Sequence, residues 1–219
     1  MFTFPPQTAV NRIVAKAKLY THAAASKRVK ALFVEQVAEV VWRNKLSPET
    51  VNLPAHGGIQ EIQVFELVLR TPDVDDAVLQ TIDKAIPFPI VFHATHGGLV
   101  RYSVAPKRPS EADSEKWVIG ARFATEPRPI AGQVLESLPV ALDLASLYEQ
   151  MVRRHIPLSP RDGESLAAQV ERYGALCVKR TEARQLEARL AVEKQFNRKV
   201  ELNAALRRVF ADLDALANA

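Results

Sequence analysis

One cysteine, Cys177, stands among 219 residues, so the chain forms no internal disulfide and no zinc site built from several thiolates. A lone thiol fits a reducing compartment. Glycine is scarce, with eight in all, and none falls in a phosphate loop, a dinucleotide fingerprint or a nucleophile elbow. No stretch of ~20 apolar residues is long enough to span a bilayer. The start, Met1-Phe-Thr-Phe-Pro-Pro6, has neither the basic nor the apolar region of a leader. These readings predict a cytoplasmic protein without a membrane segment. Charge of one sign is also lacking: 29 basic and 25 acidic residues leave a net +4, and the two signs alternate along most of the chain. Contact with nucleic acid is permitted, not demanded.

Proline is missing from one region altogether. All fourteen prolines lie at or before Pro160, and the 56 residues from Glu164 to Ala219 contain one glycine, Gly174. That tail is rich in Ala, Leu, Glu, Arg and Lys, all good helix formers. As one helix it would reach roughly 80 Å, longer than a small domain needs to cover its own core. Leu202, Leu206, Val209, Leu213 and Leu216 recur at four, three, four and three residues, a heptad seam. Phe196, Val200 and Phe210 flank it, and Asn197 and Asn203 lie close by, where a buried amide would fix register. Upstream the seam is poorer. Gly174 and the nearly apolar-free Lys179–Arg184 stretch are the two expected bends. Ten basic and eight acidic residues from Glu164 onward describe a solvated helix surface more than a phosphate-tracking stripe.

Upstream of the tail the chain alternates. Val10, Ile13, Val14, Ala17 and Leu19 recur at helical spacing and predict a first helix. Ser26 caps an expected second helix through Val29, Leu32, Phe33, Val37, Val40 and Val41, ending near Trp42–Lys45 before Ser47-Pro48. Alternation predicts strands at Ile59–Leu69, Ile90–His93, Leu99–Val104 and Lys116–Phe123, with Gly97-Gly98 as a hairpin turn and a helix after Pro72-Asp73. The last three strands read as antiparallel neighbours. Lys45–Leu53 reads as a connection in which Thr50 and Asn52 satisfy local backbone groups. The prolines and glycine of 126–139 mark a linker, and Leu142–His155 reads as a helix. The expected architecture is α+β: a small, mostly antiparallel sheet with N-terminal helices over 1–125, the linker, and a long, coiled-coil-like helical module over 140–219.

Chemistry is thin. His93-Ala-Thr-His96 straddles a strand end and reads as a satisfied histidine pair without a metal. A metal-dependent nuclease would need converging carboxylates, for which Glu35, Glu39, Glu61 and Glu66 are the choices. No lysine follows them at the usual offset, and Glu115-Lys116 has the wrong spacing. A nucleic-acid surface would use Arg12, Lys16, Lys27, Arg28 and Lys30. No cofactor or small-molecule motif is present.

Three segments together resemble a known family: Trp42–Leu53, Ile82–Ile90 and Glu193–Asn203, the last, Glu-Lys-Gln-Phe-Asn-Arg-Lys-Val-Glu-Leu-Asn, being the most specific. The chain resembles the bacterial domain of unknown function numbered 4391 over nearly its whole length. No catalytic residue comes with the resemblance. It implies a gene that sits beside DNA methyltransferases and helicases of restriction or phage-defence loci. The expected function is therefore a non-catalytic accessory subunit that self-associates, or docks such a helicase or methyltransferase, through Phe196, Asn197, Leu202, Asn203, Leu206, Val209, Phe210, Leu213 and Leu216. An atypical nuclease and a DNA-binding module are the alternatives.

Overall fold

The structure is a computed structural model that describes residues 2–110 and 117–218. The chain divides into two compact units, residues 1–155 and 156–219. In the first, the order is β1 (Phe2–Thr3), a 3-10 turn (Pro6–Thr8), β2 (Ala9–Ile13), α1 (Lys16–His22), α2 (Lys27–Gln36), β3 (Val37–Leu46), α3 (Pro48–Val51) and β4 (Ile62–Leu69). Then follow α4 (Asp76–Ala85), β5 (Ile90–His96), β6 (Leu99–Val104), β7 (Lys107–Pro109), β8 (Trp117–Ile119), β9 (Phe123–Ala124), β10 (Arg128–Pro129), β11 (Glu136–Ser137) and α5 (Leu144–Arg153). The second unit holds α6 (Leu166–Val192) and α7 (Phe196–Ala217). The chain is thus mixed α/β, with a sheet-rich N-terminal part and a long helical C-terminal module.

A seven-stranded sheet runs β10-β6-β5-β4-β3-β2, with β9 also on β6. β4 and β5 are parallel, joined by the α4 crossover, and the other pairs are antiparallel. The sheet is therefore not purely antiparallel. The expected strand from Lys116 to Phe123 divides: Trp117–Ile119 pairs with β7, and Phe123 pairs with Val104 on β6. Its first residue lies outside the described residues, as does Glu115.

Two expected helices are partly strands. The first becomes β2 followed by α1, and the second stops at Gln36, where β3 begins without a loop. The valines at 37, 40 and 41 fit a helical period, which is what the sequence presents. In the sheet the same spacing arises because β3 carries register shifts between Val37 and Glu39 and between Trp42 and Asn44. A bulge inserts one residue and breaks strict alternation. β2 has its own shift between Ala9 and Arg12, with Asn11 at φ 50°. Val and Trp are strand formers, and the central place between β2 and β4 decides the matter.

α1, α2 and α4 pack on the core that holds Phe33, Val37, Val40, Phe65, Leu67, Val78, Ile82 and Phe92. Each such side chain contributes roughly 1.5–3 kcal/mol by leaving water. The Lys45–Leu53 connection is α3 within a capping box. The Ser47 N–H donates to Thr50 Oγ1 at 2.8 Å, Thr50 Oγ1 donates to the Lys45 carbonyl at 2.9 Å, and Asn52 takes the left-handed conformation that ends the turn. α5 belongs to the sheet unit, although the sequence groups it with the tail. Its Leu144, Leu147, Tyr148, Met151 and Val152 are buried, and Tyr148 Oη donates to the Ala105 carbonyl at 2.6 Å.

Candidate interaction surface

The tail is a helical hairpin. α6 runs unbroken through Gly174 and through Lys179–Arg184, the two expected bends. An exposed glycine lowers helix stability by about 1 kcal/mol, too little to break a helix packed along one side. The chain reverses at Glu193–Gln195 instead. There the Glu193 carboxylate accepts from the backbone N–H groups of Lys194 and Gln195, at 2.8 and 2.9 Å. Nothing in Gly or Pro content marks this turn.

The hairpin consumes the heptad seam. Val209 is buried, and Leu202, Leu206, Leu213 and Leu216 are half-buried. Gln169, Arg172, Leu176 and Ala183 are the buried residues of α6. Lys179 pairs with Asp212 at 2.9 Å, and Arg172 reaches the Leu216 carbonyl, so the helices run antiparallel. The seam expected to meet a partner is therefore the inner face of this chain's own hairpin. Asn197 and Asn203 do not sit buried in it: both are exposed, and Asn203 Nδ2 donates back to the Lys199 carbonyl at 2.9 Å. What remains outside is Val178 at 67% exposure, Val192 at 76%, Phe196 at 78%, Val200 at 52% and Phe210 at 42%, of which Phe196 and Phe210 belong to the expected interaction set. Solitary exposed apolar residues are ordinary; here several lie on one hairpin, Val178 within α6, Val192 at its end and the others along α7. Beside Phe210 an open groove of about 550 Å³ is lined in part by Cys177, Arg180, Arg184, Glu187 and Leu213.

The residues of the alternatives do not converge. Glu66 pairs with Arg43 and accepts from Thr95 Oγ1, Glu61 pairs with Lys45 at 2.6 Å, and Glu35 and Glu39 are exposed on α2 and β3. Among the described residues no group of three or more His, Cys, Asp and Glu is placed to hold a metal ion. His93 and His96 sit on opposite faces of β5, three residues apart. His93 lies edge-on to the Tyr102 ring at 4.8 Å, and His96 Nδ1 is 3.2 Å from the Leu69 carbonyl. Of the basic set, Arg12, Lys27, Arg28 and Lys30 are exposed. Lys16 is engaged internally, donating to the Val37 carbonyl at 2.7 Å, and burial followed by the Arg70 charge lowers its pKa.

The strongest electrostatic cluster is one the sequence does not announce. Lys107 is buried, and its Nζ donates to the carbonyls of Asp83, Ile86 and Phe88 at and beyond the end of α4. Beside it, Arg122 bridges Asp76 and Asp83 at 2.6 and 2.5 Å and lies over the Phe92 ring. Burial lowers the Lys107 pKa to about 8 and raises that of Asp83, which Arg122 counteracts. A depressed lysine is often a nucleophile. Here its three donor hydrogens match three carbonyls at a helix C-terminus, where a cation is favourable. The cluster ties the β7 and β9 segments to α4.

Among the described residues no helix is long and apolar enough to cross a membrane. The family model for a domain of unknown function, DUF4391, matches residues 2–213. No curated protein and no solved structure matches the chain.

Proposed function

The chain belongs to the DUF4391 family, and for it we propose the role of a non-catalytic accessory subunit in a bacterial DNA-modification or antiphage defence system. In this reading the C-terminal hairpin self-associates or docks a helicase or methyltransferase. One observation carries it: Val192, Phe196, Val200 and Phe210 stay in the open on a hairpin whose inner seam is already filled. The defence setting comes from the gene neighbourhood that the family resemblance implies. The dispersal of Glu35, Glu39, Glu61 and Glu66 speaks for an accessory role over a nuclease. The test is mass photometry of the chain alone and mixed with the products of its neighbouring genes. The proposal expects a larger species that Phe196→Ser with Phe210→Ser removes. A strict monomer in every mixture would count heavily against it.

A second reading, nucleic-acid contact, draws on α2. Lys27, Arg28 and Lys30 crowd its first turn, where no acidic residue is present. Cations at a helix N-terminus oppose the helix dipole by a few tenths of a kcal/mol each. In this reading that cost is offset by a phosphate backbone. Binding that shows no dependence on salt would remove it.

A further inference from the structure

We propose that the outer flank of the α6–α7 hairpin is a groove for an amphipathic helix with an acidic border, supplied by a partner protein; this rests on the docking role above. The shape of the occupant follows from spacing. Phe196, Val200, Asn203, Arg207 and Phe210 recur at four, three, four and three residues. At ~100° per residue this row is turned about 120° from the Leu202–Leu216 seam. It is thus a second stripe at coiled-coil spacing, exposed along its length. A stripe of that period fits the side chains of another helix.

The charge of the occupant follows from the rim. Arg180 and Arg184 line the groove beside Phe210 and Leu213, with Glu187 as the one acidic lining residue. Arg207 lies on the stripe itself. Among the described residues none of these three arginines forms an ion pair, whereas Lys179 on the inner side has two. A border of glutamates or aspartates on the incoming helix would complement them. A second copy of this chain in parallel register would set Arg207 toward Arg207, and its stripe brings no acidic residue in either direction. A nucleic acid would stack on Phe196 and Phe210 but not on Val200 and Leu213, and an oligo-dT probe separates the two occupants. Asn203 is the one uncharged polar position of the stripe, where an amide sets register.

Cys177 lines the groove, is half-buried and is the only cysteine, so its alkylation by iodoacetamide reports occupancy in the full chain. The probes are a four-heptad peptide with Leu at the core positions and Glu at the flanking ones, its Lys counterpart, and single-stranded oligo-dT. Anisotropy of the labelled peptides measures binding alongside. At ten times its Kd the Glu peptide should slow alkylation about tenfold. The Lys peptide and oligo-dT should leave the rate unchanged. Arg180→Glu with Arg184→Glu should exchange the peptide preference, and Phe210→Ser should abolish protection. No binding of the Glu peptide, equal binding of both peptides, or protection by oligo-dT overturns the proposal. So does protection that rises with protein concentration alone, which is the mark of a second copy. If the double arginine variant still assembles with neighbouring gene products while the Phe196→Ser, Phe210→Ser variant does not, the groove assignment fails and the docking role stands. If the unaltered chain assembles with nothing, both fail.

Discussion

Arg172 on α6 donates through Nη1 to the carbonyl of Leu216 on α7, 2.8 Å away and 44 residues later. Its other nitrogens hold Glu164 and the Ser159 carbonyl, at 2.7–2.8 Å. One buried guanidinium thus meets the free carbonyl end of α7, where a cation is favoured, and fixes the segment that leads into α6. Arg161 Nη2 adds a bond to the Ala215 carbonyl at 2.6 Å. Arg172→Met should therefore fray α7 and lower the melting temperature of the hairpin, with Arg172→Lys a partial rescue because it lacks the planar fork. Far-UV circular dichroism reads the helix loss. Arg172 also holds the Glu164 carboxyl down at about 2. A depressed carboxylate stabilises the fold above its ordinary pKa of about 4.5, and that share is lost as pH falls from there toward 2. Arg172→Met should remove this part of the acid sensitivity.

The inner and outer faces of α7 should separate by mutation. Val209→Asp places an unpaired charge in the seam and should cost about 3 kcal/mol or more, unfolding the hairpin. Leu206→Asp and Leu213→Asp should act in the same direction, since both are half-buried against the hairpin's own interior. From the seam alone, such changes would be expected to break association before they unfold the sheet domain. Phe196→Ser should leave stability within about 0.5 kcal/mol of the unaltered chain. Urea denaturation of each variant checks the contrast.

Lys107→Met should cost about 3 kcal/mol, because three carbonyls lose a charge-assisted donor in a buried place. The same lysine gives a pH signature. Its pKa is lowered from 10.5 to about 8, so between those values the unfolded chain holds more proton than the folded one. Stability contributed by this group therefore rises with pH across that window. Comparing urea midpoints at pH 8 and pH 10 in the two proteins should show a smaller rise, or none, for Lys107→Met.

His93 should weaken the fold in acid. Burial is the largest cause that lowers its pKa from 6.5 to about 3, and its Nε2 is sealed without a hydrogen-bond partner. The neutral ring is stable in the fold above pH 6.5, and the stability it contributes falls as pH drops from 6.5 toward 3. One proton of difference is worth at most about 1.4 kcal/mol per pH unit. His93→Phe keeps a ring against Tyr102 and should flatten the urea midpoint between pH 6.5 and pH 4. His155, also lowered by burial, leaves a residual slope of the same sign.

Part of the fold is legible because some segments have a single reading. Ile62–Leu69, Ile90–His96 and Leu99–Val104 are rich in β-branched and aromatic residues, and Gly97-Gly98 between the last two adopts the positive φ a tight turn requires. Asp75 caps α4 and Asp143 caps α5, both short-range bonds written in local sequence. The Val37–Leu46 strand is not legible, because two bulges disguise its period and the residues that pair with it come from β2 and β4 on either side. The same holds for the Lys107–Asp83–Arg122 cluster, whose members are up to 39 residues apart.

The tail shows the division most clearly. Without proline, with one glycine and with apolar residues at heptad spacing, Glu164–Ala219 had to be helical and had to bury a seam; those are local properties of backbone and side chain. What the seam is buried against is a different matter. Antiparallel closure at Glu193–Gln195 turns Leu202–Leu216 inward and leaves Phe196, Val200 and Phe210 outside. Only the tertiary structure decides this, because helix period fixes the angle between two stripes but not which of them faces the chain's own neighbour.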